Sequence, residues 1–358
     1  MREKKRKELK IATFNVEWMV SLFKNGTPDL LTRASKKTPG LGAKPKNPQG
    51  VADRIAAVIK DLDVDILGIC EGPPLKTQME TFAREKLGDS YVVYSMEDGA
   101  QSVHMLVRKP LARGIKITQL PRSDLVFQRL RNAKRQYYRF GNVRTVYSAR
   151  FTRLPVILRV EHKGKITEIM TLHTKSKISE LKKAADWQKK TPKAVISAIN
   201  SRQKLSIEMN VIRKYIAHRL YSRMADSVIV MGDLNDGISR DVVDDTYLLH
   251  SIVHELRGAF QHDIALMRHV LTPKQLQNKS YAWTVEFRDP ANKGKPTHVL
   301  LDHIVYSPRC REGGTICFIP ESGCIERDAY NKHVSGSGNS RDDRPSDHAP
   351  LSAKFALT

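Results

Sequence analysis

Val228–Gly237 reads VIVMGDLNDG, and the reading of the whole chain turns on it. An apolar run passes straight into Gly232, Asp233, Leu234, Asn235 and Asp236. That pattern predicts a buried strand ending abruptly in polar groups. Gly232 frees the backbone to turn or to approach a neighbour closely. Two carboxylates and an amide then stand at the strand's carboxyl end, where open α/β sheets bind ligands. Taken alone, the same residues also suit an ordinary strand-to-loop turn.

Other stretches repeat the pattern. Leu9–Trp18, LKIATFNVEW, carries Asn15 and Glu17 two residues apart, a spacing that on an extended chain puts both side chains on one face. Asp65–Gly72, DILGICEG, delivers Glu71 just ahead of Gly72-Pro73-Pro74. Val299–Ser307, VLLDHIVYS, reads as one strand with Asp302 and His303 among apolar neighbours. Ser346-Asp347-His348 precedes a last apolar segment, Ala349–Phe355. A carboxylate in or at the end of an apolar strand is costly unless it is paired or bound to a metal. Several of them point to one shared site and a shared cation. Oxygen-rich donors with few cysteines favour Mg²⁺ or Mn²⁺ over zinc.

In the order TFNVEW, ICEG, TLHTKS, GDLND, LDHIVYS, SDHAPL, the chain resembles the endonuclease/exonuclease/phosphatase superfamily. That superfamily includes DNase I-like nucleases, abasic-site endonucleases, inositol-polyphosphate phosphatases and neutral sphingomyelinases. The resemblance runs from about residue 9 to 356. It implies an α/β fold, a four-layer α/β sandwich of two packed, mostly antiparallel β-sheets flanked by helices. It implies phosphoester hydrolysis with Glu71 holding the metal, Asn15 nearby and Asp347 completing the set. His348 is then the general base, with Asp302 fixing its tautomer and raising its basicity. Asp233 and Asn235 orient water and phosphate, and His173 stabilises charge on the phosphoryl oxygens. Glu17 stands where some relatives carry a second acidic ligand. The match departs around His173, where Leu172 replaces the usual Thr and Thr174 the usual Leu.

The formal net charge of +23 over 358 residues argues for a polyanionic partner, nucleic acid or an anionic membrane surface. From Leu125 to Val160 there is no Asp or Glu, while Arg135, Arg139 and Arg144 alternate with Tyr137, Tyr138, Phe140 and Tyr147. Arginine forks suit phosphates, and the aromatics suit either stacking on bases or inward packing. With Lys175, these arginines are the candidate substrate-binding residues. Cys70 falls in an expected buried strand; Cys310, Cys317 and Cys324 follow no zinc spacing. No secretory apolar region follows Met1, and no stretch reaches the ~18 apolar residues of a membrane span, so a cytoplasmic protein is expected.

A basic arm, residues 1–8, is expected ahead of one catalytic domain, 9–358, with insertions at about 21–50, 121–153 and 309–343. Helices are expected over Ala52–Leu62 and Gln78–Leu87 and through 178–222 with a break at Pro192. The stretch Gly237–Lys279 reads as mostly helical, and a strand restarts at Tyr281. Together these features predict a Mg²⁺-dependent nuclease. The alternatives are an inositol-phosphate or phospholipid phosphoesterase on the same scaffold, and a non-catalytic nucleic-acid-binding protein.

Overall fold

The computed structural model describes residues 7–35, 44–121, 136–140, 143–147, 151–177, 185, 189, 191–246, 251–258, 263–289, 295–311 and 313–358, with side chains left out at 7, 136–147, 242, 246 and 289. Two sheets form its centre. The first joins β1 (Lys7–Asn15), β2 (Ile66–Gly72), β3 (Tyr91–Met96), β4 (Ser102–Arg108), β15 (Ile316–Phe318), β16 (Cys324–Ile325) and β17 (Leu351–Leu357), in the order β15-β17-β1-β2-β4-β3 with β16 also on β17. The second joins β5 (Lys116–Gln119), β8 (Val156–His162), β9 (Lys165–His173), β10 (Ser227–Asp233), β11 (Arg268–His269) and β14 (Asp302–Tyr306), in the order β11-β14-β10-β9-β8-β5. Each sheet has a single parallel pair, β1 with β2 and β9 with β10; the other pairs are antiparallel. Two hairpins stand apart, β6 (Gln136–Phe140) with β7 (Val143–Tyr147) and β12 (Val285–Asp289) with β13 (Lys295–Val299).

Strand alternation sorts the apolar residues into three cores. Leu9 and Ile11 of β1, Ile66 of β2, Ile169 of β9, Ile229 and Met231 of β10, and Ile304 of β14 fill the seam between the sheets. Ala12 and Phe14 turn the other way, onto α1 (Pro48–Leu62) and α2 (Lys76–Lys86). Met170, Val228 and Val230 turn outward onto the long helix Pro192–Tyr221. Helices, sheet, sheet, helices make the expected four layers. Each fully buried aliphatic side chain contributes about 1.5–3 kcal/mol, so the three cores dominate the stability. At Gly68 the sheets come close: a Cβ there would lie 2.6 Å from Thr171 Oγ1.

The helix stripe read from Leu205, Met209, Ile212, Ile216 and Leu220 is buried in the third core. The expected break falls at Pro192, where this helix begins, at a position needing no N–H donor, behind a Thr191 side chain that caps the Ala194 amide at 3.3 Å; most of 178–190 lies outside the described residues. Several expectations are corrected. Val299–Ser307 is not one strand: β13 pairs with β12, the chain steps aside at Leu300–Leu301, and β14 begins at Asp302 against β10. Leu301 O accepts the Leu234 amide at 2.9 Å, which anchors that step. No strand starts at Tyr281, because Tyr281 and Ala282 turn back on the Asn278 carbonyl. Gly237–Lys279 holds only short helices and β11 among its described residues. The 309–343 stretch supplies β15 and β16 to the first sheet. Among the described residues no helix is long and apolar enough to cross a membrane.

Candidate active site

Alternation that fills the seam with aliphatics also decides which polar side chains enter it. On β1 the inward positions run Leu9, Ile11 and Thr13, so Asn15 comes next. On β10 the inward series Ile229, Met231 ends at Asp233, and on β9 Ile169, Thr171 ends at His173. Asp302 opens β14 on the face of Ile304. Register puts three of these side by side: Asp233 pairs with His173 on one flank and Asp302 on the other. Parallel pairing of β1 with β2 brings Asn15 opposite Cys70, and Glu71 follows at once.

Glu71 breaks the alternation. Its φ of 57° is left-handed, an uncommon state for a non-glycine residue. The carboxylate is tied to three neighbours: Oε2 accepts the Trp18 amide at 2.8 Å and Gln101 Nε2 at 2.7 Å, and Oε1 faces Asn15 Nδ2 at 3.4 Å. Gly232 is required by geometry. Its φ is +138°, and a Cβ would lie 1.9 Å from the Leu172 carbonyl oxygen. Asn235, also left-handed, donates its backbone N–H to Asp233 Oδ1 at 2.8 Å and its side-chain amide to the Thr174 carbonyl at 3.0 Å.

Across the seam, His348 Nδ1 meets Asp302 Oδ2 at 2.7 Å. Thr284 Oγ1 accepts the Leu301 and Asp302 amides, and Val285 bridges to His348, so both partners are held from one side. Ser346 Oγ donates to the Asn15 carbonyl at 2.6 Å and accepts the His348 amide at 3.1 Å. Asn15 Nδ2 also donates to Asp233 Oδ2 at 2.9 Å.

Burial works against charge on His348, but Asp302 in contact, with Asp347 and Asp233 behind it, holds the imidazole well above its ordinary value. Burial, with Arg153 and His348 adding to it, drives His173 well below, so its ring is neutral. His173 Nε2 lies 3.6 Å from Asp233 and 3.9 Å from Glu71. Burial raises Asp233 to about 6; the charge on His348 opposes this and Asp302 adds to it. Burial and then the neighbouring Asp347 charge raise Glu71 to about 7, against the Trp18 hydrogen bond. Like-charged carboxylates in a partly dry site favour a bound cation. Among the described residues no three His, Cys, Asp or Glu side chains converge into a closed metal cage. Two carboxylates and an amide nevertheless fit a hard divalent ion that keeps water in its shell.

The structure thus brings together Asn15, Glu71, His173, Asp233, Asn235, Asp302 and His348, with the Asp347 charge acting on both Glu71 and His348. Lys175 sits just beyond Thr174, its backbone amide held by Glu208 Oε2 at 2.8 Å. Arg135 lies outside the described residues. Arg139 and Arg144 pair in register across β6 and β7, and their side chains lie outside the described ones. The Glu17 carboxylate does not share a face with the Asn15 side chain: the strand ends at Asn15, the Glu17 backbone amide donates to Asn15 Oδ1 at 3.0 Å, and a left-handed turn sends the carboxylate to Arg344. Gln101 was not singled out from sequence, and Arg153 only as one arginine of the basic run. Gln101 links Glu71 to Arg153, whose Nη2 reaches Gln101 Oε1 at 2.5 Å. The arginine-rich run was the one available signal for Arg153; nothing local marks Gln101. Cys70 and Cys310 are buried and free, and Cys317 and Cys324 are free as well.

Two packed sheets flanked by helices, with this constellation at the ends of central strands, make an α/β sandwich of the DNase I-like class. The chain belongs to the Endonuclease/Exonuclease/phosphatase family, whose profile matches residues 12–348. No curated protein matches it. Its fold is similar to that of TDP2 from C. elegans, at 15% identity and a TM-score of 0.53, covering 99% of this chain and 78% of that one. It is also similar to an endonuclease/exonuclease/phosphatase family protein from Bacteroides thetaiotaomicron, at 13% identity and a TM-score of 0.50, covering 99% of both chains.

Proposed function

We propose that this chain is a divalent-metal-dependent phosphodiesterase whose substrate is nucleic acid. The observation that carries the reading is the His348–Asp302 pair, at 2.7 Å, set opposite the Asn15–Asp233 pair and the neutral His173. Glu71, with Asn15 and Asp347, would hold Mg²⁺ or Mn²⁺, which when bound offsets charge on the phosphoryl group. Every other role falls to side chains. Asp302 accepts from His348 Nδ1 and leaves Nε2 as the ring nitrogen that exchanges a proton with water. Against burial, Asp302 first and then the carboxylate charges of Asp347 and Asp233 hold His348 protonated; withdrawing the Asp347 charge would lower its pKa. Asp233 is locked by Asn15 and the Asn235 amide, so it can align a water without reorganising. His173 presents a neutral N–H to an anionic oxygen. Net charge supplies the preference for a polyanion: +23 favours a phosphate polymer through counterion release.

The test is a metal titration with supercoiled plasmid, single-stranded DNA, RNA and inositol hexakisphosphate in parallel. Wild type is run beside Glu71→Ala and His348→Ala, with EDTA controls. Metal-dependent cleavage of a polymer by wild type, reduced roughly 10²–10⁴-fold in His348→Ala, is expected. It should weaken steeply with salt. Phosphate release from the inositol phosphate with no polymer cleavage would replace this reading with a phosphomonoesterase. Polymer binding with no hydrolysis of any substrate would replace it with a binding protein.

A further inference from the structure

The Glu17 turn does more than move a side chain away from the cleft. Glu17 and Trp18 are both left-handed, with φ of 48° and 49°. The turn delivers the Trp18 amide to Glu71 Oε2 at 2.8 Å. It also delivers the Glu17 carboxylate to a two-pronged contact with Arg344, at 3.2 Å from Nε and 2.9 Å from Nη2. Arg341 lies behind, 3% exposed, its Nε 3.6 Å from Glu17 Oε2 and without a hydrogen-bond partner among the described residues. One prong of Arg341, Nη2, donates to the carbonyls of Val16 and Glu17 at 3.0 and 3.1 Å. The other, Nη1, donates to the carbonyls of Arg344 and Pro345 at 3.0 and 2.9 Å. One buried guanidinium therefore ties the end of β1 to the turn that carries Asp347 and His348. Further along, Asp342 accepts the Lys46 and Asn47 amides at the start of α1.

We propose that Glu17, Arg341 and Arg344 form a clamp that sets the spacing between the Asn15–Glu71 edge and the Asp347–His348 turn, and that Glu17 is a positioning residue, not a metal ligand. Both Glu17 oxygens are committed to guanidinium groups, and charge-assisted two-pronged pairs are the strong ones. Ligating a metal would require Glu17 to leave Arg341 buried beside no carboxylate in contact, and a buried unpaired charge is strongly destabilising. Mg²⁺ gains little from such a ligand, since it tolerates few geometries and keeps its waters. The clamp reaches the chemistry only through others. Trp18 N–H fixes Glu71, and Ser346 Oγ fixes both the Asn15 carbonyl and the His348 amide. Asp347 completes the charge balance as a second anion acting on Arg341 and Arg344.

This inference uses the phosphoesterase reading only for its kinetic readout, and two other readouts are independent of it. Full-length wild type, Glu17→Gln, Arg344→Gln and the double variant are compared. Mg²⁺ binding is measured by calorimetry, amide hydrogen exchange is followed over residues 341–348 in metal-free protein, and kcat and KM are measured on the cleaved polymer. A clamp predicts that each single variant speeds exchange over 341–348 by about tenfold. Mg²⁺ affinity falls by a similar factor, up to about tenfold, in Glu17→Gln and Arg344→Gln alike, because the clamp spaces Asn15 and Glu71 from Asp347, and the remaining loss falls on kcat by roughly 10–100-fold with KM little changed. The double variant should be no worse than the worse single one, because both remove one interaction. Arg344 is partly exposed, so Arg344→Gln keeps the test open should Glu17→Gln fail to fold. A Mg²⁺ affinity reduced tenfold or more in Glu17→Gln alone, with exchange unchanged, would make Glu17 a ligand and overturn the clamp. Additive losses in the double variant, or unchanged exchange in Arg344→Gln, would overturn it too. Absence of hydrolysis in wild type would remove the proposed function, while exchange and calorimetry would still decide the clamp.

Discussion

Two histidines border the same cleft, one neutral and one charged. His173 ends β9 on the second sheet; His348 enters from the turn before β17 on the first. Both are buried, at 3% and 6% exposure. Burial alone would make both neutral. Among the described residues no carboxylate lies within hydrogen-bonding distance of His173, which stays neutral, well below its usual pKa. His348 touches Asp302 at 2.7 Å and is held well above. One contact of the right length outweighs the dry surroundings. The two ends of the cleft are thereby assigned different tasks, a neutral N–H donor on one side and a proton-exchanging ring on the other.

The largest expected effect comes from removing that contact. Asp302→Asn keeps shape and loses charge, so the His348 pKa falls, with only Asp347 and Asp233 left to oppose burial. Turnover should drop by roughly 10²–10⁴-fold, with KM little changed, in steady-state kinetics on the cleaved substrate. An NMR titration of His348 that stayed high in this variant would break the comparison. On the opposite side, His173→Gln retains an amide donor at a similar reach. Its loss should be smaller, about 10–100-fold, and nearly flat with pH, because the neutral ring has no titration to lose near pH 7. A pH profile for His173→Gln displaced from that of wild type would show that His173, too, changes charge in the working range.

The smallest effect is on stability, in EDTA. Glu71 has a folded pKa of about 7 against an ordinary value near 4.5. A raised carboxylate binds its proton more tightly when folded, so its favourable contribution is complete below pH ~4.5 and disappears as pH rises through about 7. Glu71→Gln should therefore match wild type in unfolding free energy at pH 4.5 and exceed it at pH 8, by at most ~3 kcal/mol, with Tm rising in step. Added Mg²⁺ should close the gap by stabilising wild type alone. Equal Tm values at both pH values would remove the strained carboxylate, and with it the reason for placing a cation there.

Much of this was legible in order along the chain. Apolar runs in LKIATFN, KITEIMTLH and VIVMGD mark strands that deliver Asn15, His173 and Asp233 at their carboxyl ends. The long helix showed its buried stripe for the same reason, a fixed period read over enough residues. Irregular backbone was not legible. The step at Leu300–Leu301 and the turn at Tyr281 depend on carbonyls and hydroxyls that distant strands supply, and apolar composition continues smoothly through both. Gln101 was hidden likewise, since an amide in a loop says nothing until Glu71 and Arg153 come to either side of it.

What the sequence determined by itself is the family, the main strands and the polar groups at their ends, because these follow from apolar patterning and residue type. What the tertiary structure alone decided is which groups touch. Asp302 and His348 lie 46 residues apart in the chain, and Arg341 reaches Val16 across 325. Charge state depends on those contacts through distances of a few ångströms. Two histidines of one kind therefore differ, and Glu17, two residues from Asn15, faces arginines instead of the cleft.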